Sequence, residues 1–146
     1  MKNTVICLFL STLLLTGLTT FAQTGKKPEL ITKEIFKQKV WNYETSPNEF
    51  KYLGDKPCVI DFYADWCGWC RKIAPFMEEL CNTYDGEVYF YKINTDKDKE
   101  LQGLFQIKGL PTVLLVPAKG EPTSIRGAVS KEQYDQSIKQ VLLQKQ

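Results

Sequence analysis

One short segment constrains the fold of this chain more than any other: an apolar stretch followed at once by two cysteines and a helical pattern. Residues 58–63 are apolar apart from Asp61, which is typical of a strand buried on both faces of a sheet. From residue 68 to 84, apolar side chains recur at helical spacing. Cys67 and Cys70 lie where the two patterns meet. The segment therefore predicts a buried strand that leads directly into a helix, with both cysteines at its start.

The position of these cysteines at a helix N-terminus favours redox chemistry. Free backbone N–H groups at a helix start stabilise a thiolate, and the lowered pKa makes Cys67 a nucleophile near neutral pH. Cys70 follows one turn later on the same side, within disulfide reach. We expect Cys70 to be the more buried, resolving thiol. Gly68 allows a tight start of the helix and the close approach of a substrate backbone.

Two other uses of the cysteine pair stay open, and a third is excluded. A structural disulfide is one alternative, although closing so short a loop removes little chain entropy. Half of a metal site is another; because the chain contains no His, zinc would have to recruit Cys58 and Cys81 as well. Covalent haem is excluded, since it needs His where Arg71 stands. We expect neither a metal nor a cofactor.

Length and composition limit the number of domains and the classes of binding partner. The 146 residues suffice for one domain, and the 12% aromatic residues supply apolar surface to fold it. With 19 Lys+Arg against 17 Asp+Glu, the net charge of +2 gives no reason to expect nucleic acid or an acidic lipid surface as partner.

The N-terminal residues have the pattern of a secretory signal peptide. Lys2 precedes an apolar stretch at residues 5–18, and small residues suit cleavage near Ala22. The stretch is shorter than the ~20 residues that span a bilayer, which disfavours an uncleaved anchor. We expect export to an oxidising compartment, the bacterial periplasm, where disulfides persist. The predicted units are a signal peptide at 1–22, a flexible leader at 23–29 and the folded domain at 30–146.

Alternation and helical periodicity in the rest of the chain predict an α/β domain in which helices cover both faces of a mixed sheet. Ser130, with Gln133 three residues on, is typical of a capping box at the start of the last helix. Residues 41–55 mix aromatic and polar side chains; we interpret them as a loop or short helix and assign them no function. The predicted strands are 58–63, 88–94, 112–116 and 123–126, and the predicted helices follow Thr32, span 68–84 and 99–105, and follow Ser130.

Cys58 and Cys81 raise the question of a second disulfide. Side chains alternate along a strand, so Cys58, three residues before Asp61, points to the face opposite Asp61. Cys81 lies about three helical turns after Cys70 and therefore on the buried side of its helix. We expect Cys58 and Cys81 to be small buried apolar residues without a bridge.

Residues 61–75, Asp-Phe-Tyr-Ala-Asp-Trp-Cys-Gly-Trp-Cys-Arg-Lys-Ile-Ala-Pro, resemble the active-site strand, motif and helix of the thioredoxin family. Residues 92–96 resemble the end of its next strand, and Gly109-Leu-Pro-Thr112 resembles its cis-proline loop. The likeness extends over residues 56–143. It implies a thioredoxin fold, an α/β architecture with a central mixed sheet between helices.

The resemblance also implies catalytic roles. Cys67 attacks a substrate disulfide, and Cys70 resolves the mixed disulfide, so that Cys67–Cys70 is the redox-active pair. Asp61 accepts the proton of Cys70 through water, with a pKa raised by burial. Lys92 lies near Asp61 and modulates its charge. The alternatives are a paired structural acid for Asp61 and an exposed strand residue for Lys92.

Five residues are assigned to substrate binding. The resemblance places Pro111 after a cis peptide opposite the cysteines, and Leu110 offers its backbone to an extended substrate. Trp66 and Trp69 form an apolar rim around the nucleophile, with Trp69 largely exposed; Gly68 lies between the cysteines. A trans Pro111 and a Trp66 packed in the core are the alternatives.

One departure from the family bears on the direction of electron flow. Thioredoxins usually carry Gly-Pro between the cysteines and disulfide isomerases of this fold Gly-His, whereas this chain has Gly-Trp. Because Trp supplies no cation, we expect a reductant: a monomeric reductase of disulfide-containing exported proteins, with a membrane or periplasmic electron donor. The alternatives are an oxidant or isomerase in oxidative folding and a non-catalytic binding or chaperone module. A copper carrier is disfavoured because His is absent.

Overall fold

The predicted buried strand is the centre of a five-stranded mixed sheet. In the computed structural model, which describes residues 25–145, β2 is Cys58–Tyr63, and its first five residues are buried. On one side it pairs in parallel with Tyr89–Asn94, and on the other it pairs antiparallel with Thr112–Val116. Helices on both faces explain why this strand is a continuous apolar run. The predicted signal peptide, residues 1–22, lies outside the described residues, and its cleavage stays a prediction.

Apart from a short first strand, which the sequence did not predict, the element bounds agree closely with the predicted ones. In chain order the elements are β1 Glu29–Leu30, α1 Lys33–Lys39, β2 Cys58–Tyr63, α2 Gly68–Thr83, β3 Tyr89–Asn94, α3 Lys99–Leu104, β4 Thr112–Val116, β5 Thr123–Arg126 and α4 Lys131–Ser137, which continues as a π-helical turn at Ile138–Leu142. The strand order across the sheet is β1-β3-β2-β4-β5, with β1 and β3 parallel to β2, and β5 antiparallel to β4.

The sheet separates two hydrophobic cores. Cys58 packs in the core that includes buried residues of α1 and α3, whereas Val59 packs on the other face with α2 and α4. Successive strand residues point to opposite faces, which produces this division. Cys81 belongs to the core of α2, so that the sheet lies between it and Cys58, and both are free thiols. The expectation that no bridge joins them is confirmed.

The first described residues differ from the predicted flexible leader. Lys26 donates its backbone N–H to Asn82 Oδ1 at 2.8 Å, and Asn82 Nδ2 donates to the Lys26 carbonyl at 2.9 Å. Glu29 pairs with Tyr91 at the edge of the sheet. Residues of the predicted leader thus contact the folded domain at Lys26 and Glu29. A strand of two exposed residues has no alternation from which its pairing could be predicted.

Residues 41–55 contain no helix and cover the core on the α1 side of the sheet. Trp41 is buried, and its ring centroid lies 5.1 Å from that of Phe50 and 6.4 Å from that of Phe105. Tilted and edge-on aromatic contacts of this kind add to the stabilisation from buried apolar area. This segment thus has a structural role that its sequence did not disclose. Within the part of the chain that the structure describes, no helix has the length and apolar character needed to cross a bilayer.

Candidate active site

The two cysteines of the motif meet at the N-terminus of α2. Cys67 is the N-cap residue, with extended backbone angles, and its Sγ accepts a hydrogen bond from the Cys70 N–H at 3.1 Å. The two residues form a disulfide with their Cα atoms 5.3 Å apart. An oxygen of Ser, Thr or Asp usually takes this capping position. In the reduced protein, the same N–H and the helix N-terminus favour the charged thiolate over the thiol.

The surroundings of the two sulfurs differ more than their burial does. We expected Cys70 to be the more buried of the pair, but Cys67 is 5% exposed and Cys70 is 4% exposed, so burial does not distinguish the two thiols. Cys70, in contrast to Cys67, lines a cavity of about 250 Å³ that also contains Asp61. Cys70 is therefore distinguished from Cys67 by its access to a carboxyl group.

Asp61 is a buried carboxyl group in the middle of the central strand. Its Oδ1 is buried and has no hydrogen-bond partner among residues 25–145. Burial disfavours the charged form and raises the pKa of Asp61 to about 7, against the opposing charge of Lys92. The shared cavity is large enough to admit water between Asp61 and Cys70. This arrangement allows a proton to pass between the Cys70 thiol and the carboxylate near neutral pH.

Lys92 lies directly opposite Asp61 in the parallel register of β2 and β3. It is half-buried, lines the same cavity and has its Nζ 5.4 Å from the ring centroid of Tyr63. No ion pair within residues 25–145 includes Lys92. Its charge therefore acts on Asp61 through space, and that effect opposes the rise in the carboxyl pKa.

The loop before β4 lies against the disulfide. The Leu110–Pro111 peptide bond is cis, and the Leu110 side chain packs on Cys67 and Cys70. Within the described part of the chain, the Leu110 N–H and C=O take part in no hydrogen bond. The Pro111 carbonyl accepts the Gly127 N–H at 2.9 Å. The backbone beside the sulfurs thus has one donor and one acceptor available to an extended peptide.

Both tryptophans of the motif lie on the surface. Trp66 is 69% exposed and Trp69 is 59% exposed. The Trp66 indole Nε1 donates to Asp96 Oδ2 at 2.8 Å, which fixes the orientation of its ring. Lys72 Nζ lies 4.1 Å from the centroid of the Trp69 ring. The structure therefore places Trp66 outside the core, and both rings are available to a partner.

Comparison with known proteins now decides the family. The family model described as Thioredoxin matches residues 29–140. This chain belongs to the thioredoxin family. It is 36% identical over 109 residues to the thioredoxin of Borreliella burgdorferi, covering 75% of this chain and 92% of that relative.

Other members confirm the fold. The chain is 37% identical over 99 residues to a chloroplastic M-type thioredoxin of Spinacia oleracea, covering 68% of this chain and 55% of that relative. The crystal structure of chloroplastic thioredoxin z superposes with a TM-score of 0.63 at 26% identity, covering 79% of this chain and 94% of that one. The thioredoxin fold is thus confirmed, and the protein is a thiol–disulfide oxidoreductase.

The glycine of this thioredoxin motif is not required by the packing of the chain itself. A Cβ on Gly68 would meet only Arg71 Nη2, at 3.8 Å, which is ordinary van der Waals contact. The backbone there is not in the left-handed region that favours glycine. The predicted tight start of the helix therefore does not explain Gly68. The close approach of a substrate backbone stays as its predicted role.

Sequence reasoning assigned no role to five residues that line the cavity: Tyr63, Ala64, Asp65, Arg71 and Ala74. Tyr63 lies two positions after Asp61 and therefore points to the same face of β2, a relation that alternation alone could have supplied. Arg71 also lines the cavity and donates from Nη1 to the Asp65 carbonyl at 3.0 Å. Its position directly after Cys70 gave no comparable signal. No cluster of three or more potential metal-binding side chains occurs within residues 25–145.

Proposed function

We propose that this thioredoxin-family protein reduces the disulfides of exported proteins by dithiol–disulfide exchange through Cys67 and Cys70. The observation that carries the proposal is the asymmetry of the pair. The Cys67 sulfur caps α2, whereas Cys70 lines the cavity of Asp61. One sulfur is thus suited to attack and the other to deprotonation.

The first step forms a mixed disulfide. The Cys67 thiolate attacks one sulfur of the substrate disulfide; a new S–S bond forms, the substrate S–S bond breaks, and the leaving thiolate takes a proton from water. The Leu110 N–H and C=O, which have no hydrogen-bond partner among residues 25–145, support a substrate segment lying alongside as an added strand. The exposed rings of Trp66 and Trp69 border the sulfurs and supply apolar contact area.

The second step releases the substrate. Cys70 gives its proton to Asp61 through water, and the resulting thiolate attacks Cys67 Sγ. The mixed disulfide breaks, the second substrate thiolate leaves and is protonated, and Cys67–Cys70 becomes the disulfide. Two electrons have then passed to the substrate. A dithiol reductant must return the pair to the reduced state, and we assign this to a membrane or periplasmic electron donor.

The direction of exchange and the location are supported by the sequence. Trp69 occupies the position at which disulfide isomerases of this fold carry a His. The imidazolium of that His stabilises the thiolate of the reduced enzyme, and Trp69 supplies no such charge. The reduced form of this protein is therefore less stabilised than that of an isomerase, which makes it the stronger reductant. The signal-peptide pattern of residues 1–22 supports export.

Two measurements test the proposal. The protein should accelerate the reduction of insulin by dithiothreitol, whereas a folded Cys67→Ser/Cys70→Ser variant should give only the rate of the buffer. Failure of the wild type to accelerate the reaction, with both thiols shown to be free, favours a binding module. At equilibrium with glutathione the pair should remain mostly oxidised; a mostly reduced pair in an oxidising glutathione buffer favours an oxidant or isomerase.

A further inference from the structure

The first turns of α2 present two cations and an indole beside the disulfide. Arg71 and Lys72 are exposed and directly follow Cys70. The Lys72 ammonium lies over the ring of Trp69, 4.1 Å from its centroid. A cation at this distance from an indole face is held by the ring quadrupole. The aromatic ring and the charge therefore form one surface.

Neither cation is neutralised by a carboxylate. Arg71 Nη1 donates to a backbone carbonyl, that of Asp65, and no ion pair within residues 25–145 includes Arg71 or Lys72. The Asp65 carboxylate accepts from Asn94 Nδ2, and the Asp96 carboxylate accepts from Trp66 and Lys99. These two acids thus have hydrogen-bond partners of their own, and within residues 25–145 neither Arg71 nor Lys72 is in an ion pair with a carboxylate.

These side chains border a groove next to the reactive sulfurs. A groove of about 490 Å³ is lined by Gly68, Trp69, Arg71 and Lys72. Arg71 Nη2 lies 3.8 Å from the position that a Cβ on Gly68 would take, so that the guanidinium reaches the residue that follows Cys67. The lining contains no acid. A ligand in this groove meets an aromatic wall and two positive charges within one helical turn of the disulfide.

We propose that this groove binds an acidic side chain that lies close in sequence to the reactive cysteine of the substrate. The inference rests on the proposed exchange reaction and adds a substrate preference to it. A planar guanidinium matches a carboxylate in shape and charge, Lys72 adds a second attraction, and the methylene stem of a glutamate packs on Trp69. Substrates with Asp or Glu beside the cystine are therefore reduced faster than neutral ones.

Matched peptides test the preference. Three disulfide peptides carry Glu, Gln or Lys at the positions flanking the reactive cysteine and are otherwise identical; kcat/KM is measured for each at roughly 0.01 M and 1 M ionic strength. At low ionic strength we expect the Glu peptide to be reduced about two- to fivefold faster than the Gln peptide, with the Lys peptide slowest. At high ionic strength the three rates converge because salt screens exposed charges.

Variants locate the preference in the groove. In Arg71→Gln/Lys72→Gln the ratio of the Glu to the Gln rate should fall to one, and Lys72→Glu should favour the Lys peptide. Because the same Cys67 thiolate attacks both peptides, a change in its reactivity alters both rates equally and leaves their ratio unchanged. The matched control is Lys51→Gln/Lys119→Gln, which removes the same charge at two exposed positions that do not line the groove and should keep the wild-type ratio.

The outcomes separate this inference from the proposed function. Equal rates for the Glu and Gln peptides with the wild type, or an unchanged ratio in Arg71→Gln/Lys72→Gln, overturn the inference and leave the exchange reaction intact. If the wild type reduces none of the peptides and also fails with the small neutral bis(2-hydroxyethyl) disulfide, the proposed reaction itself is wrong.

Discussion

The carboxyl group of Asp61 combines a structural cost with a chemical use. It lies in the central strand, with Oδ1 unpartnered among the described residues. Ionising a carboxyl group that is buried without a partner costs free energy. The folded protein tolerates this cost only because the packing of the rest of the core compensates for it. Groups of this kind occur disproportionately at sites of proton transfer. Asp61 should therefore affect stability and activity in opposite directions.

The first prediction concerns stability as a function of pH. Because burial raises the pKa of Asp61 from 3.8 to about 7, the folded state binds more protons than the unfolded state between these values, and this contribution to stability falls as pH rises through that window. Asp61→Asn should therefore stabilise the oxidised protein at pH 8, by at most about 4 kcal/mol. Guanidinium chloride unfolding at several pH values measures the effect.

The stabilisation should shrink at pH 5, where Asp61 is mostly neutral in the folded protein. A gain that is the same at pH 5 and pH 8 would show that the carboxyl does not titrate in this window. Insulin reduction by the same variant should be slower near pH 7, because Cys70 loses its proton acceptor. Asp55→Asn, a change to an exposed carboxylate that does not line this cavity, serves as the matched control.

The second prediction separates the roles of the two sulfurs. Cys70→Ser should accumulate a covalent mixed disulfide with substrate, because attack by Cys67 proceeds and the resolving attack is lost. Cys67→Ser should form no such adduct and show no turnover. Non-reducing electrophoresis with mass spectrometry detects the adducts. Normal turnover by Cys70→Ser would mean that the attacker is misassigned.

The chemical role of a residue was predictable where its side chain differed in polarity from its neighbours in the sequence. Asp61 stood out as one acid in an apolar run, and strand alternation placed Cys58 away from it. The cavity contacts of Arg71 were not predictable, because they depend on how an exposed side chain bends back toward β2. Nor did the sequence indicate that Cys67 and Cys70 would be almost equally buried.

At the scale of secondary-structure elements, the capping box of α4 makes a specific contribution. The Ser130 side chain accepts the Gln133 N–H at 3.3 Å, and Gln133 Oε1 accepts the Ser130 N–H at 3.0 Å. Both bonds satisfy N–H groups that the helix leaves unpaired. The helix in turn buries Tyr134 and Ile138 against the sheet.

The third prediction follows from this cap. Ser130→Ala should lower the free energy of unfolding by about 1 kcal/mol, because one N–H loses its acceptor. Gln136→Ala, an exposed position on the same helix, should not destabilise the protein, since Ala has the highest helix propensity. Chemical denaturation of the two variants compares them. An equal effect of both substitutions would show that the cap is not the cause.

Helices and strands with strong periodicity were predictable, and short or irregular ones were not. α2 and the three long strands had clear patterns, whereas β1 has only two exposed residues and depends on pairing with β3. The turn Ile138–Leu142 is π-helical although its pattern is that of an ordinary helix. Packing against the sheet decides such details, and one sequence does not contain that information.

At the scale of the whole molecule, the sheet separates the sulfurs into independent groups. Cys58 lies in one core and Cys81 in the other, while the motif pair lies at the start of α2. Burial raises the pKa of the Cys58 thiol to about 12 and also raises that of Cys81, which keeps both unreactive. The exchange reaction is thus confined to one pair within the described part of the chain.

The fourth prediction concerns the full chain in a cell. Expressed in a bacterium with a periplasm, the protein should be recovered from the periplasmic fraction with its N-terminus at Gln23, which intact mass spectrometry measures. Leu14→Arg, which interrupts the apolar stretch, should leave the precursor uncleaved. Recovery of uncleaved wild-type chain from the cytoplasm would contradict export.

The hydrogen bonds between Lys26 and Asn82 have a practical consequence. Asn82 lies near the C-terminal end of α2, fifteen residues after Cys67 and so roughly 22 Å from it along the helix axis. A fusion partner or surface linkage attached ahead of residue 25 therefore joins the molecule far from its sulfurs. Immobilisation through the N-terminal side should leave the Cys67–Cys70 disulfide accessible to large substrate proteins.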